Sequence, residues 1–319
     1  MKRVIITGGN GFIGRHVVRK VLTTSRYSVV LIANRSNLVD REFQKLMPLT
    51  FYATDIRDRE AISNIFRDEE ADTCVHLAAK ISVADSIRKP DETNDINVNG
   101  TLNVLEACHN NGVKNFVFAS SAAVYGDVKE LPISEDQTLR PLSPYGTSKM
   151  LAEQHVLSYN KLKKIQNIIS LRIFNVYGNS KSSANDVVSK FASRLTKGLP
   201  PIIYGNGKHT RDFISVDDVA DAILLSVKAM EELKNNNNYN LGSSPIFNIG
   251  TGIATSVNEL AHKMINMSGL ELNPIYVNRS QDDGVILHSY ADTAKAKEVL
   301  HFVPKKDIDD GLRELLNPI

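Results

Sequence analysis

The sequence has few of the residues that mark a secreted, metal-binding or membrane protein. It contains only two cysteines in 319 residues and no tryptophan. Two isolated cysteines, Cys74 and Cys108, exclude a disulfide framework and a cysteine-rich metal cluster, so we interpret both as packing residues and expect no metal. The apolar run at the N-terminus is too short for a signal sequence, and no run approaches the roughly 18 residues of a membrane helix.

An excess of one charge is also missing, because 38 basic residues balance 36 acidic ones and leave a net charge of +2. Such a chain has no strong field with which to attract nucleic acid or a membrane surface, and we expect neither as a partner. A hydrophobic fraction of 42% is enough for a large core. These features together predict a cytoplasmic globular protein.

The first half of the chain alternates short apolar runs with longer amphipathic ones. The strand candidates are 3–7, 28–33, 50–54, 73–78, 115–120 and 168–174, and the helical stretches between them include 12–24, 59–69, 95–111 and 145–162. Strands that alternate with helices form right-handed βαβ units. The sequence therefore predicts an α/β fold with a Rossmann-type, doubly wound parallel sheet.

The alternation becomes irregular after about residue 175, where loops lengthen and prolines appear. This change predicts a second, smaller C-terminal α/β domain. We assign 1–174 to a dinucleotide-binding domain, to which 211–230 returns, and 175–210 with 231–319 to the smaller domain.

The first strand candidate leads directly into "TGGNGFIG", which places Gly8, Gly11 and Gly14 before a helix. The first glycine permits a tight turn, the second lets the backbone approach a pyrophosphate, and the third lets the helix pack on the sheet. Free N–H groups at the helix start then face the phosphates. In this context the loop predicts a dinucleotide site, with Phe12 and Ile13 as further contacts.

The end of the second strand lacks the acidic residue that usually binds the adenosine ribose of NAD. It reads Ala33, Asn34, Arg35 and Ser36 instead. Without a carboxylate, Arg35 and Ser36 can bind a 2′-phosphate, which slightly favours NADP over NAD as the cofactor. The alternative is that Arg35 is a solvated turn residue and NAD binds without its acid.

Other strand ends supply further candidates for cofactor contacts. Asp55 can accept from the adenine amine with Ile56 beside the ring, or it can cap the helix that begins near Asp58. The remaining candidates at this edge are Leu77, Ala78, Ala79, Ser120 and Phe174.

Tyr145 and Lys149 are four residues apart, so on a helix they share one face. An ammonium near a phenol lowers the pKa of the phenol. Such a tyrosine can exchange a proton with a sugar hydroxyl while a hydride moves to a nicotinamide. Ser121, at the end of the fifth strand, can share that proton.

Several motifs occur together in one order along nearly the whole chain: "TGGNGFIG", "HLAA", "NVNGT", "SSAAVYG", "YGTSK", "LRIFNVYG", "TRDFISVDD" and "FNIGTG". In this order they resemble the extended short-chain dehydrogenase/reductase family, and within it the nucleotide-sugar epimerases and dehydratases. The resemblance implies a nicotinamide cofactor in the first domain and, under the second, a nucleoside-diphosphate sugar, for which we expect UDP as the nucleotide. It implies a catalytic set of Ser121, Tyr145 and Lys149, and a homodimer formed through helices 95–111 and 145–162.

The resemblance also implies roles for other residues. Asn97 corresponds to a structural asparagine near the active site, and we group it with the cofactor residues. Asn175 would contact a phosphate of the substrate, and two arginines would clamp its diphosphate. A small residue at Ser289 would leave room for an N-acetyl group. The predicted substrate-binding residues are Ser121, Asn175, Tyr204, Arg211, Arg279 and Ser289.

The resemblance leaves more than one reaction open. Dehydratases carry an Asp–Glu pair where this chain has Ala122 and Ala123, so a 4,6-dehydratase is disfavoured. The first interpretation is a 4-epimerase of a UDP-hexose such as UDP-glucose and UDP-galactose, with or without an N-acetyl group. The second is an NADPH-dependent reductase of a 4-keto-6-deoxy nucleotide sugar. The intact catalytic set argues against a third, a non-enzymatic NAD(P)-binding protein.

Overall fold

A seven-stranded sheet organises the protein, whose computed structural model describes residues 1–34, 48–179, 186–235, 244–278 and 286–316. Its strands are all parallel, in the order β11-β6-β5-β4-β1-β2-β3. The chain builds β2 and β3 on one side of β1 and then returns to build β4, β5 and β6 on the other side, as in a doubly wound fold. The predicted fold class is confirmed. The seven strands are β1 (Lys2–Thr7), β2 (Tyr27–Ala33), β3 (Leu49–Ala53), β4 (Thr73–His76), β5 (Asn115–Ser121), β6 (Asn167–Ile173) and β11 (Ile246–Ile249).

Helices cover both faces of this sheet and build much of the C-terminal part of the chain. They are α1 (Phe12–Thr23), α2 (Arg59–Glu69), α3 (Val83–Arg88), α4 (Pro90–Asn94), α5 (Gly100–Asn110), α6 (Pro144–Lys161), α7 (Val187–Leu195), α8 (Val216–Asn235), α9 (Val257–Ser268), α10 (Ala294–Val299) and α11 (Ile308–Leu316). None of the described helices is both long and apolar enough to cross a membrane.

Short strands pair outside the main sheet. They are β7 (Asn175–Tyr177), β8 (Ile202–Tyr204), β9 (Thr210–Arg211), β10 (Phe213–Ser215), β12 (Thr255–Ser256), β13 (Ile275–Val277) and β14 (His288–Ser289). Strand β7 pairs with β10, β8 pairs with β13, and β9 lies between β12 and β14.

The apolar composition of the main strands follows from the two helical layers. Successive residues of a strand point to opposite faces, so Ile6 packs with α1 and α8 while its neighbour Ile5 packs with α2, α5 and α6. Both faces are buried, and a strand such as β2 is therefore apolar almost throughout.

Two features differ from the sequence-based expectations. The stretch 95–111 is not one α-helix, because a π-helical turn over Asp95–Asn99 precedes α5. Strand β11 joins the main sheet next to β6, although it lies in the range 231–319 that we assigned to the smaller domain. Helix α8, which spans the returning segment 211–230, packs in the same apolar core as α1.

Candidate active site

The predicted site residues follow strands that end side by side. Thr7 at the end of β1 is in register with His76 at the end of β4, and Ser121 at the end of β5 is in register with Ile173 of β6. Because the strands are parallel, the segments after them meet at one edge of the sheet. This carboxyl edge is where open α/β sheets bind their ligands.

The glycine loop after β1 has the shape needed to receive a diphosphate. Gly8 has φ +70°, and a Cβ there would lie 2.6 Å from the backbone nitrogen of Ala78. Gly11 is the N-cap residue of α1 and makes no side-chain capping bond. The first amides of a helix have no acceptor inside it, so those of Phe12 and Ile13 are available to a ligand together with the positive end of the helix dipole.

Ser120 provides independent support for a polar ligand at this edge. Ser120 is only 4% exposed, yet its side-chain hydroxyl has no hydrogen-bond partner. A buried hydroxyl without a partner costs free energy, and such an atom in a native structure commonly marks a site completed by a ligand. The glycine cradle and this hydroxyl fit a dinucleotide that runs from the end of β1 to the end of β5.

The structure describes β2 to its end and one residue beyond it, Asn34. Ala33 is buried and its carbonyl accepts from the amide of Thr54 at 2.9 Å. Asn34 is exposed. Arg35 and Ser36, on which the prediction of NADP was based, lie outside the described residues.

Asp55 is paired rather than used as a helix cap. Its carboxylate accepts from the guanidinium of Arg57 at 2.8 Å and from the Arg57 amide at 2.9 Å, which lowers its pKa. The cap of α2 is Asp58, which accepts from the amide of Ala61 at 3.0 Å, so the interpretation of Asp55 as a cap is wrong. Ile56 is 5% exposed and packs in the sheet core.

Three hydroxyls fix the start of α6, which carries Tyr145, the predicted catalytic tyrosine. Ser143 is its N-cap residue and accepts from the amide of Gly146 at 3.1 Å. Ser86 accepts from the amide of Tyr145, also at 3.1 Å. Ser148 donates to the carbonyl of Tyr145 at 2.8 Å. The backbone of Tyr145 is thus held on both sides.

The electrostatics of Tyr145 differ from the expectation that the nearby ammonium lowers its pKa. Burial raises the pKa of Tyr145, and the nearby Ser121 side chain opposes that effect. The structure therefore brings Ser121 and Tyr145 together as predicted. It also shows that desolvation of the phenolate is the larger influence on this pKa.

Lys149 lies one helical turn after Tyr145 and is 4% exposed. Its Nζ lies 4.5 Å from the centre of the Phe118 ring. Burial lowers the pKa of Lys149 to about 8, and the attraction of Glu153 works in the opposite direction. The buried amine therefore loses its proton at a lower pH than an exposed lysine does.

Asn97, on the π-helical turn, is engaged with the protein. Its amide oxygen accepts from the amide of Lys80 at 2.8 Å, and its amide nitrogen donates to the Lys80 carbonyl at 3.0 Å and to Ser148 at 2.9 Å. The side chain thus joins the segment after β4 to α6.

Three predicted substrate residues, Arg211, Ser289 and Asn175, lie close to one another where β9, β14 and β7 meet. Arg211 on β9 is in register with Ser289 on β14. The amide of Asn175 on β7 donates to the carbonyl of Asp212 at 3.0 Å.

Phe174, a cofactor candidate, is 4% exposed and packs against Tyr125. Tyr204 is 57% exposed on β8, and Arg279 lies outside the described residues.

Asp212 organises this region, and the sequence reasoning missed it. It is fully buried and its carboxylate accepts from the amide and hydroxyl of Thr251 and from the amides of Gly252 and Ala291, at 2.6–3.1 Å. Burial raises the pKa of Asp212, and these bonds oppose the shift. The only signal in the sequence was its place next to Arg211.

His76 is a second residue that the sequence reasoning missed. Its Nδ1 lies 2.7 Å from the Thr7 hydroxyl and its Nε2 lies 3.0 Å from the Thr101 hydroxyl, which itself donates to the carbonyl of Asn97 at 2.6 Å. Since the Thr101 hydroxyl donates to Asn97, it accepts from Nε2–H, so Nδ1 accepts from Thr7. Burial lowers the pKa of His76 to about 3, and the ring is neutral.

No group of three or more His, Cys, Asp or Glu side chains that could hold a metal ion occurs among the described residues.

Comparisons with known proteins agree with this arrangement. The family model described as the NAD dependent epimerase/dehydratase family matches residues 4–242. A putative UDP-glucose 4-epimerase of Methanocaldococcus jannaschii is 37% identical, over 98% of this chain and 97% of that protein.

Two solved structures cover almost the same length. UDP-glucose 4-epimerase of Thermotoga maritima, solved with UDP-glucose, is 32% identical with a TM-score of 0.86, over 98% of this chain and 97% of that one. UDP-N-acetylglucosamine 4-epimerase of Methanobrevibacter ruminantium is 31% identical with a TM-score of 0.85, over 99% and 97%. The chain belongs to the NAD-dependent epimerase/dehydratase family, the epimerase and dehydratase group of the extended short-chain dehydrogenases/reductases.

Proposed function

We propose that this protein is a 4-epimerase of UDP-hexoses that works with a bound NAD. The observation that carries the proposal is the arrangement at the carboxyl edge of the sheet. Ser121 ends β5 and lies near enough to Tyr145 to oppose the rise that burial causes in the pKa of its phenol, and Lys149 lies one turn further along α6. Ala122 and Ala123 follow Ser121 in a short 3₁₀ turn, and neither has a group that can remove water from the sugar. The full-length similarity to UDP-glucose 4-epimerases supports the same reaction.

In this reaction Tyr145 is the base that takes the proton of the C4 hydroxyl and later returns it. Ser121 hydrogen-bonds to the same hydroxyl, and the ammonium of Lys149 stabilises the phenolate. When bound, the nicotinamide supplies reversible hydride acceptance at C4. The loop of Gly8 and Gly11, with the Ser120 hydroxyl, would hold the cofactor.

The smaller domain, 175–210 with the part of 231–319 that lies outside β11, would cover the nucleotide sugar. Arg211 and Arg279 would bind the diphosphate, because a guanidinium offers a fixed charge and a fork of donors. Asn175 would contact a phosphate, and Tyr204, whose ring is exposed, would contact the nucleotide.

The proposal is tested by incubating the purified protein with UDP-galactose and following UDP-glucose without added cofactor. Interconversion, together with NAD released from the denatured protein, supports the epimerase. A protein that converts neither UDP-galactose nor UDP-N-acetylgalactosamine, but consumes NADPH with a 4-keto-6-deoxy nucleotide sugar, is the reductase and contradicts the proposal.

The preference for NADP, based on Ala33 and Arg35, has no support from the comparisons, since the description of the family names NAD. We therefore propose NAD. Identification of the nucleotide that is released in the experiment above decides between the two cofactors, because NADP carries one additional phosphate.

Ser289 is proposed to leave room for an N-acetyl group on the sugar. The residue is small, 6% exposed, and next to Arg211 in the sheet. Changing Ser289→Tyr is expected to lower kcat/KM for UDP-N-acetylglucosamine at least tenfold more than for UDP-glucose, since the added ring occupies the space of the acetyl group. The matched control, Ser289→Ala, keeps that space and is expected to accept both sugars. Equal losses for the two sugars in Ser289→Tyr contradict this role.

A homodimer through α5 and α6 is also proposed. Leu151 of α6 is 39% exposed, and Leu102 of α5 is partly exposed. Light scattering is expected to give twice the 35.3 kDa of one chain, and Leu151→Arg is expected to give the monomer because a charge is costly in an apolar interface. Leu199→Arg, at a leucine of similar exposure outside these helices, is expected to stay dimeric. A monomeric mass for the unmodified protein contradicts the dimer.

A further inference from the structure

A third ionisable residue continues the catalytic face of α6. Tyr145, Lys149 and Glu153 are spaced four apart, so each lies one turn after the one before. Glu153 is fully buried. A buried carboxylate one turn from a catalytic lysine is a strong local charge because the protein interior screens it poorly.

The carboxylate of Glu153 is bound from the side of β6. It accepts from Nη2 of Arg172 at 2.7 Å and from Nε at 3.1 Å, and the Ser170 hydroxyl donates to it at 2.9 Å. In the part of the chain that the structure describes, no ion pair joins Glu153 to Lys149. Glu153 therefore acts on Lys149 through its field.

Arg172 is itself held in one orientation. Its Nη1 donates to the hydroxyl of Tyr125 at 3.0 Å and to the carbonyl of Glu135 at 2.8 Å. The Tyr125 hydroxyl then donates to Asn248 at 2.6 Å. These contacts keep the positive charge beyond the carboxylate, so the pair forms a fixed dipole.

The charged and titratable groups around Lys149 come from three elements. Helix α6 contributes Tyr145 and Glu153, and β6 contributes Arg172 as the ion partner of Glu153. From β4 comes His76, which is neutral because burial lowers its pKa to about 3. Glu153 is the group whose attraction raises the pKa of Lys149 against the effect of burial.

We propose that Glu153 is a positioning residue that keeps Lys149 protonated during turnover, and that Arg172 limits the strength of its field. The effect on turnover rests on the proposed function, in which Lys149 must carry a charge to stabilise the phenolate of Tyr145. The effect on the protonation of Lys149 itself does not depend on which sugar is the substrate.

The kinetic test compares the pH dependence of kcat in the unmodified protein and in Glu153→Gln. Loss of the carboxylate is expected to move the alkaline limb, which reports Lys149, to lower pH by about one unit, a tenfold change in the protonation equilibrium. Ser170→Ala is the control because it removes a neutral donor to the same carboxylate, and its alkaline limb is expected to coincide with that of the unmodified protein. A role in packing alone would lower kcat equally at every pH.

Arg172→Gln provides a test of opposite sign. Without the guanidinium the field of Glu153 is not opposed, and the alkaline limb is expected to move to higher pH. A displacement to lower pH in this variant would overturn the role of Arg172.

A measurement without substrate separates this inference from the proposed function. In protein labelled with ¹³C-lysine, the Cε resonance of Lys149, assigned by its loss in Lys149→Arg, gives the pKa directly. That pKa is expected to be about one unit lower in Glu153→Gln. If that variant does not fold, Glu153→Gln with Arg172→Gln removes both buried charges and is expected to show the same direction. Equal pKa values for Lys149 with and without the carboxylate overturn the proposal, even if the enzyme proves to be an epimerase.

Discussion

Changing Tyr145→Phe is expected to lower kcat for the interconversion of UDP-galactose and UDP-glucose by about 10²- to 10⁴-fold, the usual contribution of general acid–base catalysis. The variant loses only the phenol oxygen, whose pKa is raised by burial and lowered by the neighbouring Ser121 side chain. The ring still fills its place at the start of α6, where the Ser86 hydroxyl binds the backbone of residue 145. Stopped assays that separate the two sugars measure the change.

Two controls make this result specific. Tyr159→Phe removes a phenol oxygen from the same helix, where the ring packs on His109, and is expected to keep the activity of the unmodified protein. The unfolding temperature of Tyr145→Phe is expected to stay close to that of the unmodified protein. If Tyr145→Phe keeps more than a tenth of the activity, another group is the base and the proposed mechanism is wrong.

The parts of this site that the sequence predicted are those determined by short spacings. The glycine loop needs three small residues within seven positions, and Tyr145 and Lys149 need only one helical turn between them. The strands were recognisable because helices cover both faces of the sheet, which makes β1 and β2 apolar on both sides.

The parts that were missed depend on contacts between distant segments. Asp212 is bonded to residues 251, 252 and 291, and Glu153 meets Arg172 across two elements, so neither can be inferred from a local pattern. The four residues of β11 form a buried, mostly apolar run that would suit the main sheet or one of the small sheets. Only the tertiary fold places them beside β6 in the main sheet. The pKa of Tyr145 was misjudged because spacing reveals a nearby ammonium but not the depth of burial.

Changing Lys149→Met is expected to abolish activity and at the same time to stabilise the protein at neutral pH by up to about 3 kcal/mol. The lysine has a pKa of about 8 in the folded protein against an ordinary value of 10.5. Each unit of difference corresponds to about 1.4 kcal/mol. Below about pH 8 both the folded and the unfolded protein carry the charge, so the full cost of burying it is present.

The buried charge of Lys149 makes the free energy of unfolding depend on pH. Between pH 8 and 10.5 the unfolded protein binds the proton and the folded protein does not, so the stability of the unmodified protein rises with pH in this range. Methionine has no such proton, and the advantage of Lys149→Met is expected to shrink from pH 7 to pH 10. Urea unfolding at both values measures it, with Lys190→Met, at an exposed lysine, as a control expected to change little.

A gain in stability that is equal at pH 7 and pH 10 would show that packing, not charge, is responsible. A loss of stability at pH 7 would show that the attraction of Glu153 and the contact with Phe118 exceed the cost of burial. The expected result makes Lys149 a residue whose charge lowers the stability of the fold. That charge is kept because the phenol of Tyr145, whose pKa burial raises, needs a cation one turn away to ionise.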